Sequence, residues 1–493
     1  MLLIDYLQKK TDYSSSELAI IEAETGESVT YGQLWDKVNK LSTKLNNLGL
    51  EKRDRVALTL PNSINWVVSF FAILKSGGIV VPIRQSATSS EAKWLINKTR
   101  PVLFIGDSSF INRSLPFDLL DDDQSVVILS KKIILKSKTR QRVNNLRDLM
   151  QGGDQISQNE HAQMADSPDV ATINFTYRGY GYPIGAMLDD ANYIEGIKAY
   201  SYTAGFEKRH RVLAIHPFCY IYPLLGCVLS PLATGSTIIT CQGILPHKIW
   251  ELVHKFNIDV LTAVPSLYSA LLRSSNPYKS DLKITHAFCG GSLMPIGLYK
   301  QLKDDFNISL RQGYGLTECL PIVCNPSHGN RPETLGKILS GSDGIIDVKI
   351  FNEEGVEMGT GEIGEIVVNG PTVTKGYYRM SKETSAVLKN GWFSTGDLGC
   401  FDADGYLHFS GIKKRIAKVG GNMVDLIEVE NRMLDIPYIS EVKVYAIPDD
   451  RWGQIIAADV ASANGHVNLR MVRQYLKPYL ATYKLPKIIR NLS

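Results

Sequence analysis

The sequence predicts an α/β protein of at least two domains, a large N-terminal one and a small C-terminal one. Three observations predict it. Strand-like apolar runs alternate with helix-like ones up to about residue 320, the signature of a parallel sheet covered by helices. After Gly336 the texture changes to short alternating runs separated by Gly and Asp, which read as antiparallel hairpins over about 336–410. The length of 493 residues also exceeds what one hydrophobic core organises.

Each element follows from its own pattern. In "VTYGQLWDKVNKLSTKLNNLGL", Leu34, Val38, Leu41, Leu45 and Leu48 fall at three- and four-residue spacing, an amphipathic helix stopped at Gly49. "RVALTLPNSINWVVSFFAILKSGGIVVPI" then reads as strand, turn, helix, Gly-Gly stop and second strand, one βαβ unit. The same alternation recurs at "VLAIHPF", "STIITCQG", "IDVLTAVPSLYSALL", "KITHAFCGGSLMPIGLYKQL" and "ISLRQGYGLTE". At Gly411 the run "GIKKRIAKVGG" interrupts the hairpins. Beyond it lie a helix from about Leu426, the strands "EVKVYAI" and "IIAADVA", and the helix "RMVRQYLKPYL", so a domain boundary is placed at 410/411.

Bulk properties exclude several classes. The 54 basic residues against 50 acidic ones leave too small a surplus to neutralise a nucleic-acid backbone. Cys219, Cys227, Cys241, Cys289, Cys319, Cys324 and Cys400 stand singly, which argues against a zinc ribbon or a disulfide framework and for a reduced, cytoplasmic setting. The start "MLLIDYLQKK" has its apolar run broken by Asp5, unlike a secretory signal. Val212 to His247 carries no charged residue, but prolines and glycines interrupt it, so a buried helix with flanking strands is expected rather than a membrane span.

Four motifs are candidates for chemistry. "TYRGYGYPIGAM" follows the strand "VATINF" and supplies Gly179, Gly181 and Gly185, whose missing Cβ atoms let N–H groups turn toward an anion; alone, it reads equally as a surface turn. "RQGYGLTEC" offers an aromatic face at Tyr314, a hydroxyl at Thr317 and a carboxylate at Glu318 suited to Mg2+, or simply a solvated glutamate. "FCGG" places Gly290 and Gly291 at a strand end, where another group can approach closely. Asp397 in "STGDL" is either a turn residue or an acceptor for a ribose diol.

Taken in order, and with "VTYGQL", "GIVVPI", "GKI" and "KVGGNMVDLIEVE", these motifs make the chain resemble the adenylate-forming superfamily of acyl-CoA synthetases, luciferases and peptide-synthetase adenylation domains. The resemblance implies a large N-terminal domain of two α/β halves plus a β-barrel, and a small mobile C-terminal domain. It implies ATP-dependent, Mg2+-assisted conversion of a carboxylic acid to acyl-AMP, then transfer to an acceptor: coenzyme A, a carrier-protein thiol or an amino acid. Carried over by position, Thr176, Gly179, Gly181 and Gly185 hold the β- and γ-phosphates, Thr317 the α-phosphate and Glu318 the metal. Tyr314 stacks on adenine beside Gly315, Asp397 binds ribose, Lys414 is the hinge, and Lys418 belongs to the face presented in the second step. Gly290 lines the adenine side, and Gly291, Gly313, Tyr220, Tyr222 and Val264 shape the acyl pocket.

The chain also departs from the family's pattern. In the phosphate loop Tyr177 replaces Ser, Arg178 the first Gly, Gly179 and Tyr180 two Thr, and Ile184 a Lys; Arg178 is the candidate to return the lost charge. This loop is similar to that of coronafacate–amino acid ligases, which form amides. Ile412 stands at the hinge where the family has Arg, and Tyr220 where many members have a His gate. After "YKLPKIIRNLS" there is no Gly-Lys of the kind that assists adenylation, and Lys484 and Lys487 come too early to align with it. These departures keep open a second expectation, a non-catalytic relative that binds nucleotide or acyl-adenylate.

Overall fold

The computed structural model describes residues 2–106, 126–129, 133–135, 170–243, 245–339, 346–413, 415–462 and 466–492. Two large sheets form the N-terminal domain. The seven-stranded one runs, edge to edge, through Ile133–Leu135, Val126–Leu129, Leu103–Gly106, Arg55–Thr59, Ile79–Pro82, Val170–Thr176 and Ile184–Asp189. Its inner strands are parallel, and Val170–Thr176 pairs antiparallel with Ile184–Asp189. The nine-stranded one has parallel strands at its centre, among them Arg211–Ala214, Val260–Ala263 and His286–Cys289, continuing into Leu310–Leu316.

The amphipathic helix is Tyr31–Asn47, with Leu34, Val38, Leu41 and Leu45 fully buried. Thr30 and Gln33 close its N-terminus reciprocally: the Thr30 hydroxyl accepts from the Gln33 N–H and the Gln33 amide oxygen from the Thr30 N–H. The uncharged run also folds as its prolines require. Between the strands Arg211–Ala214 and Thr237–Thr240 it makes a broken helix, with a π-helical stretch Leu224–Leu229. Among the described residues no helix is long and apolar enough to cross a membrane.

From Asp347 to Ile412 five strands form the antiparallel β-rich region. Gly411 and Ile412 remain in it, because Leu407–Ile412 pairs with Trp392–Phe401. The change of sheet therefore falls between Ile412 and Ile416, slightly later than the sequence pattern placed it. The last sheet carries Asn422–Asp425, Ile416–Val419, Gly453–Ser462, Ile439–Asp449 and Ile488–Asn491, packed on the helices Leu426–Leu434 and Leu469–Leu476 around a core of its own.

Gly185, expected in the phosphate-binding turn, lies instead inside the strand Ile184–Asp189, opposite Phe175. Its missing side chain serves packing: a Cβ there would stand 2.6 Å from Ile173 Cγ2 and 3.1 Å from Phe175 Cζ. Gly185→Ala is therefore expected to destabilise the N-terminal domain by about 1–3 kcal/mol, read as a lower urea midpoint, through overpacking.

Candidate active site

A cavity of about 460 Å³ opens where the parallel strands of both large sheets end and the small domain begins. Crevices at the carboxyl ends of parallel strands are where α/β folds bind ligands, because loops there converge without strand pairing to satisfy. The strand ends at Thr176, Gly290 and Gly291 line it, as do Gly313, Tyr314 and Gly315 near the end of the strand Leu310–Leu316 and Thr317 just beyond it. Tyr220, Tyr222 and Val264 form further wall, and Lys418 enters from the small domain with the turn Gly420–Met423. Most of the residues singled out from sequence thus share one space.

Glycine is required at its centre. A Cβ on Gly290 would lie 2.9 Å from Tyr222 Cζ, and one on Gly421 2.9 Å from Val264 Cγ1. The Tyr314 hydroxyl donates to Asp397 Oδ2 at 2.8 Å, and both side chains are buried. Asp397 stands behind the wall rather than on it, joined to the cavity through Tyr314. Burial lowers the Lys418 ammonium below its usual range, and only Asp397 opposes that. Lys414 lies outside the described residues.

The phosphate loop is occupied from within the chain. Gly179 and Gly181 have φ of 83° and 82°, left-handed values that glycine adopts without strain and that turn successive N–H groups to one side. The Gly181 N–H donates to Asp425 Oδ2 at 2.9 Å. The other oxygen of Asp425 caps the helix Leu426–Leu434, accepting from Ile427 N–H at 2.9 Å and Glu428 N–H at 3.2 Å. At the loop's start the Thr176 hydroxyl meets Met423 Sδ at 3.6 Å.

Arg178 does not face the cavity. Its Nη1 pairs with Glu318 Oε1 at 3.1 Å, its Nη2 donates to the Ser394 and Thr395 carbonyls, and its guanidinium lies over the Phe393 ring. The Tyr377 hydroxyl donates to the same Glu318 oxygen at 2.7 Å. Burial alone would lower the Arg178 ionisation, but Glu318 more than restores it. The expected metal role of Glu318 does not fit this arrangement, since one of its oxygens is engaged twice and a buried guanidinium already balances its charge. Among the described residues no group of three or more metal-ligating side chains converges elsewhere.

Residues 7–378 match the family model of AMP-binding enzymes, and residues 428–492 that of their C-terminal domain. The chain belongs to the AMP-binding enzyme family. It is similar to a long-chain-fatty-acid–CoA ligase of Bacillus subtilis, 28% identical over 489 residues that cover 94% of this chain and 86% of the ligase. The amide bond synthetase McbA from Marinactinospora thermotolerans shares the fold with a TM-score of 0.86 at 21% identity, over 100% of this chain and 96% of McbA. So does an o-succinylbenzoate CoA synthetase double mutant from Bacillus subtilis bound with its product analogue, with a TM-score of 0.83 at 22% identity over 99% and 94% of the two chains. Adenylate-forming CoA ligases use ATP, Mg2+ and CoA; with Glu318 engaged by Arg178, the Mg2+ belongs to the Mg-ATP substrate.

What the motifs did not reveal is how this member of the AMP-binding family joins its two domains. Lys484, fully buried, donates to Glu91 Oε1 at 2.6 Å, Tyr177 Oη at 2.7 Å and Glu428 Oε2 at 2.8 Å. Arg84 adds a second cation, on Glu91 at 2.5 Å and on the Tyr483 hydroxyl. Arg84, Glu91 and Tyr177 also line the cavity. Tyr177, odd as a phosphate-loop residue, thus serves as a partner for the small domain. Burial alone would raise the Glu91 carboxyl, but Lys484 and Arg84 overcome it and hold it at about 2. Burial wins at Glu428, whose carboxyl is raised despite Lys484.

A carboxyl held below its unfolded value contributes stability above that value and loses it as the pH falls toward the folded one. The Glu91 contribution is therefore present above pH 4.5 and fades toward pH 2. Melting temperature followed across that window should fall steeply for the wild type, whereas Glu91→Gln should start lower at neutral pH and fall less.

Proposed function

We propose that this chain is an ATP-dependent acid ligase that adenylates a carboxylic acid in the cavity bounded by Tyr314, Thr317, Gly290 and Gly420–Met423, then passes the acyl group to an acceptor. The observation that carries it is the convergence of the two ends of the phosphate loop (Thr176, Tyr177 and Pro183), the "GYGLT" strand end and the small domain's "KVGGNM" segment on one space. A substrate carboxylate oxygen attacks the α-phosphorus of Mg-ATP; a new O–P bond forms, the α–β bridge breaks, and pyrophosphate leaves. The acceptor's lone pair then attacks the acyl carbon, and AMP departs with the electrons of the broken C–O bond.

The residues divide this work. The Thr317 hydroxyl, on the cavity wall, donates to an α-phosphate oxygen as charge accumulates there. Tyr314 presents its ring to adenine, and Asp397, held behind it by the Tyr314 hydroxyl, meets ribose by exchanging that partner. The Gly179–Gly181 turn receives the β- and γ-phosphates. Lys418 supplies a partly desolvated cation beside Asp397 for the AMP that leaves in the second step. Tyr220, Tyr222, Val264, Gly291 and Gly313 shape the acyl side.

For the acceptor, coenzyme A is the first reading, supported by the activity that names the similar Bacillus ligase. An amino-acid amine is the second. The departures in "TYRGYGYPIGAM" support it, and a carrier-protein thiol is a variant of the first.

The wild-type protein is expected to exchange labelled pyrophosphate into ATP in the presence of its acid, and no exchange across a broad acid panel would overturn the reading. Thr317→Ala should lower the exchange rate about 10²- to 10³-fold with an unchanged melting temperature. Incubation with the exchanging acid, ATP and either CoA or mixed amino acids, read by product mass, decides the acceptor: acyl-CoA supports the first reading and an amide the second.

A further inference from the structure

In the phosphate loop the N–H groups that would receive an anion already hold one. Asp425 is fully buried, and burial raises its carboxyl above the usual range; the Gly181 N–H, which donates to its Oδ2, opposes that rise together with the N–H groups of Glu428, Ile427 and Gly179. The approach is close on both sides: a Cβ on Gly181 would stand 3.1 Å from Asn431 Nδ2 and 3.2 Å from Ile427 Cγ2. The helix Leu426–Leu434 therefore rests directly on the turn. Thr176 against Met423 and Tyr177 against Glu428 extend the contact along the loop.

We propose that Asp425 is a positioning residue that takes the place of pyrophosphate in the Gly179–Gly181 turn, so that polyphosphate binding and docking of the small domain exclude each other. The inference rests on the nucleotide reading given above and adds to it a named competitor. One set of N–H donors cannot serve two anions, and a buried carboxylate beside a polyphosphate is repelled by it. While Asp425 is seated, the strand Ile416–Val419 and the following turn place Lys418, Gly420, Gly421, Asn422 and Met423 along the cavity wall. Departure of pyrophosphate thus frees the donors that fix the wall used in acyl transfer, and its return dislodges that wall.

The decisive variant is Asp425→Asn, which keeps a good helix cap but removes the charge. In the full-length protein, calorimetry with magnesium pyrophosphate should show binding about tenfold tighter than in the wild type, the size of an ordinary coupling between two exclusive ligands. Acyl transfer from preformed acyl-AMP should slow about tenfold, while the KM for ATP in the exchange assay falls. Equal pyrophosphate affinity together with unchanged transfer would overturn the proposal. Should the variant not fold, the wild type carries the test: pyrophosphate must speed amide hydrogen exchange at Ile427 and Glu428, and unchanged protection there overturns it. Absence of any ATP or pyrophosphate binding in both proteins is a different result; it removes the nucleotide reading itself and the competitor with it.

Discussion

Lys484 places a full positive charge where no solvent reaches it, and the relation between the two domains depends on how that charge is balanced. Moving an ammonium out of water costs several kcal/mol, which is offset only if partners surround it at hydrogen-bond distance. Glu91 and Tyr177 supply two partners from the large domain and Glu428 a third from the small one. Arg84 joins Lys484 on Glu91, so that two cations face the two carboxylates. Removing one member of such a cluster typically costs about 3–5 kcal/mol, because the others are left buried and unpaired. The small domain is consequently seated in one orientation, and that orientation brings Gly420–Met423 to the cavity.

The same economy of charge governs the rest of the site. Three groups suited to a nucleotide already have partners in the chain: the loop N–H of Gly181 has Asp425, Asp397 has Tyr314, and Glu318 has Arg178. Buried polar groups demand this, since an unpaired donor or carboxylate would cost more than the site's packing returns. Nucleotide binding is then an exchange of partners rather than the filling of an empty cradle. Arg178 illustrates the limit of such exchange, being tied to one carboxylate, two carbonyls and the face of Phe393.

Much of the fold was legible because its signals are local. The spacing of Leu34, Val38, Leu41 and Leu45 and the stop at Gly49 act within a few residues, and so did the switch from helical to alternating patterns after Gly336. The candidate cavity residues were legible as short motifs, each with a local chemical meaning, such as the glycines that leave room beside Tyr222 and Val264. Gly185 was misplaced because a glycine that makes room for Ile173 across a strand pair looks, in one dimension, like a glycine in a turn. The boundary at Gly411 was early because pairing with Trp392–Phe401 carries the strand past the change in composition.

The sequence by itself determined the order of elements, the membership in an adenylate-forming family and the turns that can meet a nucleotide, since each of these depends on neighbours along the chain. Tertiary structure alone decided the pairings between distant charges: Arg178 with Glu318, Gly181 with Asp425, Lys484 with Glu91. Their separations of 140, 244 and 393 residues explain why. A charge carries no pattern that names its partner, and only the packed chain, where water no longer competes for it, makes the choice.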